Sequence, residues 1–190
     1  MLHKTMFSTP VVQPCLRWFS RTVLKLLGWK VMGNIPKELK QCIVIGAPHT
    51  TNWDMPFSLM VAFSLDVPLY WVGKDSIFKF PFGGLMRWMG GIPVDRSKSN
   101  NMVEATVQQF DQHAELRIMM SPEGTRSKVD KWKSGFYYIA HGAGVPIALG
   151  FIDYKQKQAG VLGSFKTSGD YEADLAKIFE QYGDYLHPTK

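Results

Sequence analysis

The fold is decided by residues 42–65, CIVIGAPHTTNWDMPFSLMVAFSL, where a short apolar run leads through a polar loop into a longer apolar segment. The run from Cys42 to Ala47 has the length and composition of a buried strand. Met55 to Leu65 predicts a helix, because Pro56 is tolerated in a first helical turn. A buried strand that leads through a polar loop into a helix is typical of an α/β domain whose functional side chains lie in the loop.

The same alternation of strand and helix continues along the chain. The further predicted strands are Leu69–Val72, Ile92–Val94, Leu116–Met120, Val145–Ile152 and Val161–Phe165. The further predicted helices are a broken segment over Ile77–Met89, then Met102–Gln112, Ser134–His141 ended by Gly142, and Tyr171–Tyr182. We therefore expect a single α/β domain with a mixed, mostly parallel sheet flanked by helices.

The N-terminal segment predicts an amphipathic helix. Residues 11–30 read VVQPCLRWFSRTVLKLLGWK, and Arg17, Arg21 and Lys25 recur at every fourth position. Apolar and aromatic side chains cover most of the remaining surface, and Gly28 is a plausible stop. We expect residues 1–30 to form an interfacial element on an anionic membrane surface, ahead of a main domain at residues 31–190. The alternative is a helix packed on its own domain with its cations in water.

The charge balance restricts the classes of partner. Lys and Arg total 22 against 16 for Asp and Glu, a net charge of +6. This excess favours nucleic acid, an anionic membrane or a phosphate-bearing substrate. No recognition-helix or RNA-binding motif is present, so we expect no nucleic-acid partner. No signal peptide and no spanning segment is expected, which predicts a cytoplasmic protein peripheral to the cytoplasmic face of the membrane.

His49 and Asp54 carry a chemical signal that has two interpretations. The histidine lies just past a predicted strand, and the carboxylate lies near the start of the next helix. A turn between them can place Asp54 on one imidazole nitrogen, which leaves the other nitrogen to take a proton from a substrate hydroxyl. The alternative is structural, with Asp54 as a helix N-cap and His49 as a polar loop residue. The pair by itself leaves both interpretations open.

Two further polar clusters follow predicted strands. The first spans Gly90 to Ser97 and includes Arg96, whose guanidinium can bind a phosphate through two hydrogen bonds, although an Asp–Arg surface turn would also explain it. The second lies within Ser121–Ser127, where exposed amides and charges can meet a substrate or form an internal Glu–Arg pair. Its candidate residues are Glu123, Gly124, Thr125 and Arg126.

Other catalytic classes leave no pattern in this chain. A hydrolase would be indicated by a Gly-x-Ser-x-Gly nucleophile motif, which is absent. No His-Glu-x-x-His motif or Cys/His cluster indicates a metal site. The two cysteines, Cys15 and Cys42, lie in unrelated contexts and predict no disulfide.

The polar clusters resemble the motifs of a known family when they are taken in order. The blocks are His-x4-Asp at residues 49–54, Gly-x-Ile-x-Val-Asp-Arg at 90–96, Pro-Glu-Gly-Thr-Arg-Ser at 122–127, Trp-Lys-Ser-Gly-Phe at 132–136 and Val-Pro-Ile at 145–147. This series resembles the PlsC-type glycerolipid and lysophospholipid acyltransferases, over about Ile45 to Gly150. The expected fold is that of the glycerol-3-phosphate acyltransferases.

The resemblance implies transfer of a fatty acyl group from an acyl thioester to a hydroxyl of a lysophospholipid, with 1-acylglycerol-3-phosphate as the leading acceptor. The donor would be acyl-CoA or acyl carrier protein, and no metal or organic cofactor is implied. His49 would be the general base and Asp54 its orienting partner, and Arg96 would bind the anionic head of the acceptor. The residues that would shape the acceptor site are Glu123, Gly124, Thr125 and Arg126.

The alternatives are acylation of a different acceptor and a lipid-binding module without catalysis. The sequence leaves the acceptor, the donor and the oligomeric state open. Three departures from the family pattern concern the acceptor more than the chemistry. Pro48 stands where many members have Asn, Thr51 replaces Ser, and Ser121 replaces Phe.

Overall fold

The computed structural model describes residues 3–94, 99–125 and 131–186. Within these residues the chain forms a seven-stranded sheet with the order β1-β7-β6-β2-β5-β3-β4. The strands are β1 Lys30–Met32, β2 Gln41–Gly46, β3 Tyr70–Lys74, β4 Gly91–Val94, β5 Leu116–Met120, β6 Ile147–Asp153 and β7 Gln158–Phe165. The helices are α1 Val12–Leu26, α2 Asp54–Leu65, α3 Gly83–Trp88, α4 Ser99–Gln112, α5 Gly135–Gly142 and α6 Tyr171–Tyr182, with 3-10 turns at Asp75–Phe78 and Gly183–Leu186.

Most of the sheet is parallel. Strands β6, β2, β5, β3 and β4 are neighbours that run in one direction, with Ile43 of β2 opposite Ile118 on one side and Ile147 on the other. Strand β7 runs antiparallel to β6, and β1 pairs in parallel with β7. The expected mixed, mostly parallel sheet is confirmed, and the carboxyl ends of five strands in this sheet lie along one edge.

Helices cover both faces of the sheet and form two cores. On β2, Ile43 and Ile45 belong to the core that includes residues of α4, α5 and α6, such as Phe136. The alternate residues Cys42 and Val44 pack on the opposite face, with Ala62 of α2. A strand that is buried on both faces is apolar throughout, which explains the continuous run at the centre of the predicted fold.

Strand β1 was not predicted. It has three residues at one end of the sheet, and its side chains are exposed or half-buried, so no apolar alternation marks it. Its pairing depends on close backbone contact at two glycines. A Cβ at Gly33 would collide with the carbonyl of Val161, and a Cβ at Gly160 would collide with the carbonyl of Met32.

Helix α1 runs from Val12 to Leu26, within the predicted residues 11–30, and Gly28 follows its end with a left-handed φ of 76°. Helix α1 packs on α2 through Leu24, which is only 1% exposed. Two of its basic side chains also contact the C-terminal end of α2. Arg17 forms an ion pair with Asp66 at 2.9 Å, and the guanidinium of Arg21 donates two hydrogen bonds to the carbonyl of Ser64.

Helix α5 ends differently from the prediction. It runs through Gly142, and the reversal follows at Gly144, whose φ is 66°. The amides of Gly144 and Val145 donate to the carbonyls of His141 and Ala140, which closes the helix. Both Gly142 and Gly144 could have ended the helix from the sequence alone. The reversal occurs at Gly144, because that residue has the left-handed conformation.

Candidate active site

The three polar clusters follow β2, β4 and β5, whose carboxyl ends share one edge of the sheet. The loop after β2 carries His49, and the loop after β5 carries Glu123. Because β2 and β5 are adjacent parallel strands, these loops meet. The backbone amide of His49 donates to the carboxylate of Glu123, with distances of 3.3 Å to Oε1 and 3.2 Å to Oε2. The structure therefore brings the first and third clusters together.

Asp54 is held by hydrogen bonds to both of its carboxylate oxygens. Oδ2 accepts from the amides of Thr50 at 2.6 Å and Thr51 at 2.9 Å, and it lies 2.8 Å from Nδ1 of His49. Oδ1 accepts from the hydroxyls of Thr51 at 3.0 Å and Tyr154 at 2.7 Å. These partners precede α2 or, in the case of Tyr154, directly follow β6, so the carboxylate organises the loop, and the simple N-cap alternative does not describe it.

The same hydrogen bonds determine the charge of Asp54. Its side chain is 7% exposed, and burial opposes ionisation. The hydrogen bonds from His49, Thr51, Tyr154 and Thr50 outweigh that cost and lower the pKa of Asp54 to about 2. Asp54 is therefore a carboxylate at neutral pH and can only accept hydrogen bonds.

The charge of Asp54 assigns the tautomer of His49. A carboxylate has no proton to donate, so the 2.8 Å contact requires Nδ1 of His49 to carry the hydrogen. In the neutral imidazole, Nε2 then holds the lone pair. The His49 side chain is partly exposed.

The third cluster has a half-buried carboxyl group and a tight turn. Burial raises the pKa of Glu123, although its hydrogen bond from the His49 amide acts in the opposite direction. Gly124 has a φ of 65°, which favours glycine, and Thr125 is exposed. The two candidate arginines, Arg96 and Arg126, lie outside the described residues.

Two residues that the sequence analysis did not select lie at this site. Tyr154 follows β6 directly, so the rule that strand-end loops carry functional side chains could have found it. Lys133 lies over the third cluster, because a Cβ at Gly124 would be 3.0 Å from its Nζ atom. Lys133 belongs to the Trp-Lys-Ser-Gly-Phe block at residues 132–136, so this block could have identified it as a candidate site residue.

A cavity of about 390 Å³ opens beside the His49–Asp54 pair. It extends between the sheet and α2 and is mostly apolar, with walls that include Val44, Val61, Ala62, Leu69 and Trp71. Ser121 also lines it, and the Ser121 hydroxyl is buried with no hydrogen-bond partner in the part of the chain that the structure describes. His49 and Asp54 are thus polar residues in the lining of a mostly apolar cavity.

Two absences apply to residues 3–94, 99–125 and 131–186. No group of three His, Cys, Asp or Glu side chains in these ranges could hold a metal ion. Nor does any helix there have the length and apolarity to cross a membrane.

The chain is similar to curated 1-acyl-sn-glycerol-3-phosphate acyltransferases. It is 35% identical over 141 residues to a 1-acyl-sn-glycerol-3-phosphate acyltransferase of Haemophilus influenzae. The matched region covers 69% of this chain and 56% of that protein. It is 33% identical over 108 residues to the protein of the same name in Escherichia coli, covering 53% and 42%. The chain thus spans about half the length of these curated relatives.

A solved structure and a family model agree with this similarity. The solved structure is the 1-acyl-sn-glycerophosphate (LPA) acyltransferase PlsC from Thermotoga maritima, which superposes with a TM-score of 0.62 at 18% identity. The superposition covers 90% of this chain and 76% of that one, and it supports the fold. The Acyltransferase family model matches residues 29–148, which include the His49–Asp54 pair, Glu123 and Lys133. Since this match extends over most of the chain, the protein belongs to the acyltransferase family.

Proposed function

We propose that this chain transfers a fatty acyl group from an acyl thioester to a hydroxyl of a lysophospholipid, with 1-acylglycerol-3-phosphate as the preferred acceptor. The observation that carries the proposal is the His49–Asp54 pair, joined at 2.8 Å, in the lining of a mostly apolar cavity. The names of the curated relatives support the choice of acceptor. The donor would be acyl-CoA or acyl carrier protein, and no further cofactor enters the reaction.

The proposed reaction needs one general base and no covalent intermediate on the protein. Nε2 of His49 takes the proton of the acceptor hydroxyl as its oxygen attacks the thioester carbonyl carbon. A carbon–oxygen bond forms, the carbon–sulfur bond breaks, and the proton passes from His49 to the departing thiolate. Asp54 stabilises the imidazolium that exists between these steps, because it stays ionised beside Nδ1.

The acceptor would bind where the strand-end loops meet. Lys133 over Gly124 supplies a cation for the phosphate, and Arg96 and Arg126 are proposed to add to it. Glu123 is a poor phosphate ligand, because a carboxylate repels an anionic phosphate. We assign to Glu123 the support of the His49 backbone, with the acceptor hydroxyl as its second contact.

The acyl chain of the donor would occupy the cavity under α2. Its apolar walls remove hydrocarbon from water, which is worth about 0.8 kcal/mol for each buried methylene. The mouth beside His49 would then hold the thioester carbonyl within reach of the acceptor oxygen. This arrangement separates the apolar and polar parts of the two substrates.

The test is a product assay with purified protein. Acyl-CoA and acyl carrier protein donors are each incubated with a panel of lysophospholipids, and products are identified by mass. We expect diacylated product with the wild type and a loss of at least about 100-fold in His49→Ala, the scale of general-base assistance. His141→Ala is the matched control, because His141 lies at the end of α5 and contacts Thr167.

The outcomes separate the candidate functions. Product formation near the wild-type rate in His49→Ala would refute the role of the histidine. Thiol release without acylated product would indicate a hydrolase. Acylation of an acceptor without a phosphate would support the proposed acyl transfer but contradict the proposed acceptor.

We also propose that the protein binds the cytoplasmic face of the membrane peripherally through α1. Trp18 and Leu26 are 70% and 80% exposed on this helix, although α1 is packed on α2 by its opposite side. Arg17 and Arg21 are engaged with α2, so the exposed apolar residues are better candidates for lipid contact than these two cations.

A second exposed apolar segment lies beside the cavity. Phe80 is 99% exposed and Phe82 is also exposed, and the nearby Ile77 lines the cavity. Four large apolar side chains that are exposed within nine residues form a patch of the kind that contacts lipid or another protein: Ile77, Phe80, Phe82 and Leu85. Contact with lipid at this segment would place the cavity mouth close to its substrates.

A further inference from the structure

The Asp54 carboxylate has two oxygens with different tasks. Oδ2 faces Nδ1 of His49 and two backbone amides of the same loop. Oδ1 faces away from the histidine and accepts hydrogen bonds from two hydroxyl groups. The shorter of these, at 2.7 Å, comes from Tyr154, which lies 100 residues further along the chain.

The ring of Tyr154 is held by other aromatic rings. Its centroid lies 5.4 Å from that of Trp29 and 5.7 Å from that of Phe57, and both contacts are edge-to-face. Trp29 and Phe57 also contact each other, with centroids 4.6 Å apart. Trp29 directly precedes β1 and Phe57 lies in α2, so two other parts of the fold position the phenol.

Tyr154 is a permanent donor in this position. Burial is the main effect that raises the pKa of Tyr154 to about 12, and the neighbouring Asp54 carboxylate contributes to the same direction. The phenol therefore keeps its proton at any pH at which the protein would work. Thr51 lies 3.4 Å from the phenol oxygen and supplies the second hydroxyl on Oδ1.

We propose that Tyr154 is a positioning residue, whose hydroxyl holds Oδ1 of Asp54 so that Oδ2 stays directed at Nδ1 of His49. The inference rests on the proposed function for its catalytic consequence. A carboxylate can turn about its Cβ–Cγ bond, and a hydrogen bond on the far oxygen opposes that rotation. Loss of the bond would allow the imidazole to populate its other tautomer, in which Nε2 carries the proton and cannot act as a base.

The decisive variant is Tyr154→Phe, which removes the hydroxyl and keeps the ring that packs on Trp29 and Phe57. Tyr185→Phe is the matched control, because the Tyr185 hydroxyl contacts Gln158 at 3.4 Å and its ring packs on Phe151. We expect kcat of Tyr154→Phe to fall about tenfold with little change in KM, as for loss of a group that orients a functional histidine. The control should retain the wild-type kcat.

The second readout does not depend on activity. Protein labelled with [15N]histidine reports the tautomer of each imidazole by NMR, and His49→Gln assigns the His49 signals. We expect His49 to hold its hydrogen on Nδ1 in the wild type and in Tyr185→Phe, and to show a mixture of tautomers in Tyr154→Phe.

The two readouts distinguish failure of the inference from failure of the proposed function. Wild-type kcat and an unchanged His49 tautomer in Tyr154→Phe would overturn the positioning role. If the wild type transfers no acyl group but the tautomer still changes in Tyr154→Phe, the proposed function fails and the positioning role stands. An equal loss of kcat in Tyr185→Phe would reduce the effect to general structural damage and overturn the assignment.

Discussion

Asp54 shows how single atoms set the chemistry of this site. A carboxyl that is 7% exposed is expected to resist ionisation, yet it accepts five hydrogen bonds. The hydrogen bonds prevail and place its pKa at about 2. Glu123, in the neighbouring loop, accepts a hydrogen bond from the His49 amide, and burial raises its pKa. Two neighbouring carboxyl groups thus have pKa values shifted in opposite directions.

The low pKa of Asp54 predicts a particular pH dependence of stability. Its pKa is depressed from 3.8 to about 2 on folding, so its contribution is present above the unfolded value and is lost as the pH falls toward 2. We expect the stability advantage of the wild type over Asp54→Asn to shrink by roughly 2 kcal/mol as the pH falls from about 5 to about 2. Urea unfolding of both proteins at a series of pH values measures this difference in unfolding free energy.

The control for this prediction is Asp75→Asn, at an exposed aspartate in the first 3-10 turn. Its unfolding free energy should follow that of the wild type across the same pH range. Parallel curves for the wild type and Asp54→Asn would mean that the hydrogen-bonded carboxylate gives no net stabilisation to the folded state.

In helix α1, contacts with the rest of the fold determine which side of the helix is left exposed to solvent. Its basic side chains form a sequence stripe, but two of them contact the end of α2. The last carbonyls of a helix lack partners and carry a partial negative charge, so cations such as Arg21 bind there. The side of the helix left to solvent carries Trp18 and Leu26.

The proposed membrane contact of α1 can be tested on those two residues. We expect the double variant Trp18→Ser/Leu26→Ser to sediment poorly with anionic phosphatidylglycerol vesicles, while its melting temperature stays close to that of the wild type. Exposed side chains contribute little to folding stability but supply most of the apolar area that enters an interface.

The matched control is Phe179→Ser, which changes a partly exposed aromatic residue on α6, across the sheet from α1. It should sediment as the wild type does. Unchanged sedimentation of the double variant would exclude α1 as the membrane contact. The exposed patch of Ile77, Phe80, Phe82 and Leu85 would then be the candidate for that contact.

The molecule as a whole combines a dense core on one face of the sheet with a core on the other face that encloses the cavity. On one face, Tyr137, Phe136 and Ile139 are buried almost completely. On the other face, α2 and the sheet enclose about 390 Å³. Interiors normally leave few voids of this size, so a volume that adjoins a candidate base points to a substrate.

The size of the cavity predicts a preference among acyl donors. Ala62 is buried on α2 and lines the cavity, so Ala62→Leu should fill part of it and lower kcat/KM for long acyl thioesters more than for short ones. A series of acyl chain lengths measures the ratio. Ala140→Leu is the control, because Ala140 is buried on α5 in the opposite core.

Overpacking at Ala140 should lower stability without changing the order of preference among chain lengths. Equal preference in the wild type and Ala62→Leu would exclude the cavity as the acyl site. A change of preference in the Ala140 variant would show that the discrimination has a different origin.

Local features of the fold were predictable from the sequence. Strand β5 and helix α6 have the predicted limits, because each has a clear apolar period and polar flanks. The broken segment over residues 77–89 is confirmed as a 3-10 turn followed by α3. The three-residue strand β1 could not be found, because its pairing with β7 depends on backbone contact at Gly33 and Gly160.

By itself, the sequence determined the order of the strands and helices apart from β1, and it placed His49 and Asp54 five residues apart, close enough for the contact that the structure shows. Both follow from short-range periodicity and from a single turn of chain. Only the tertiary structure decided that Glu123 supports the His49 backbone and that Tyr154 holds the far oxygen of Asp54. Those contacts depend on which strands lie side by side, and strand order is set by packing across the whole sheet, which no local pattern encodes.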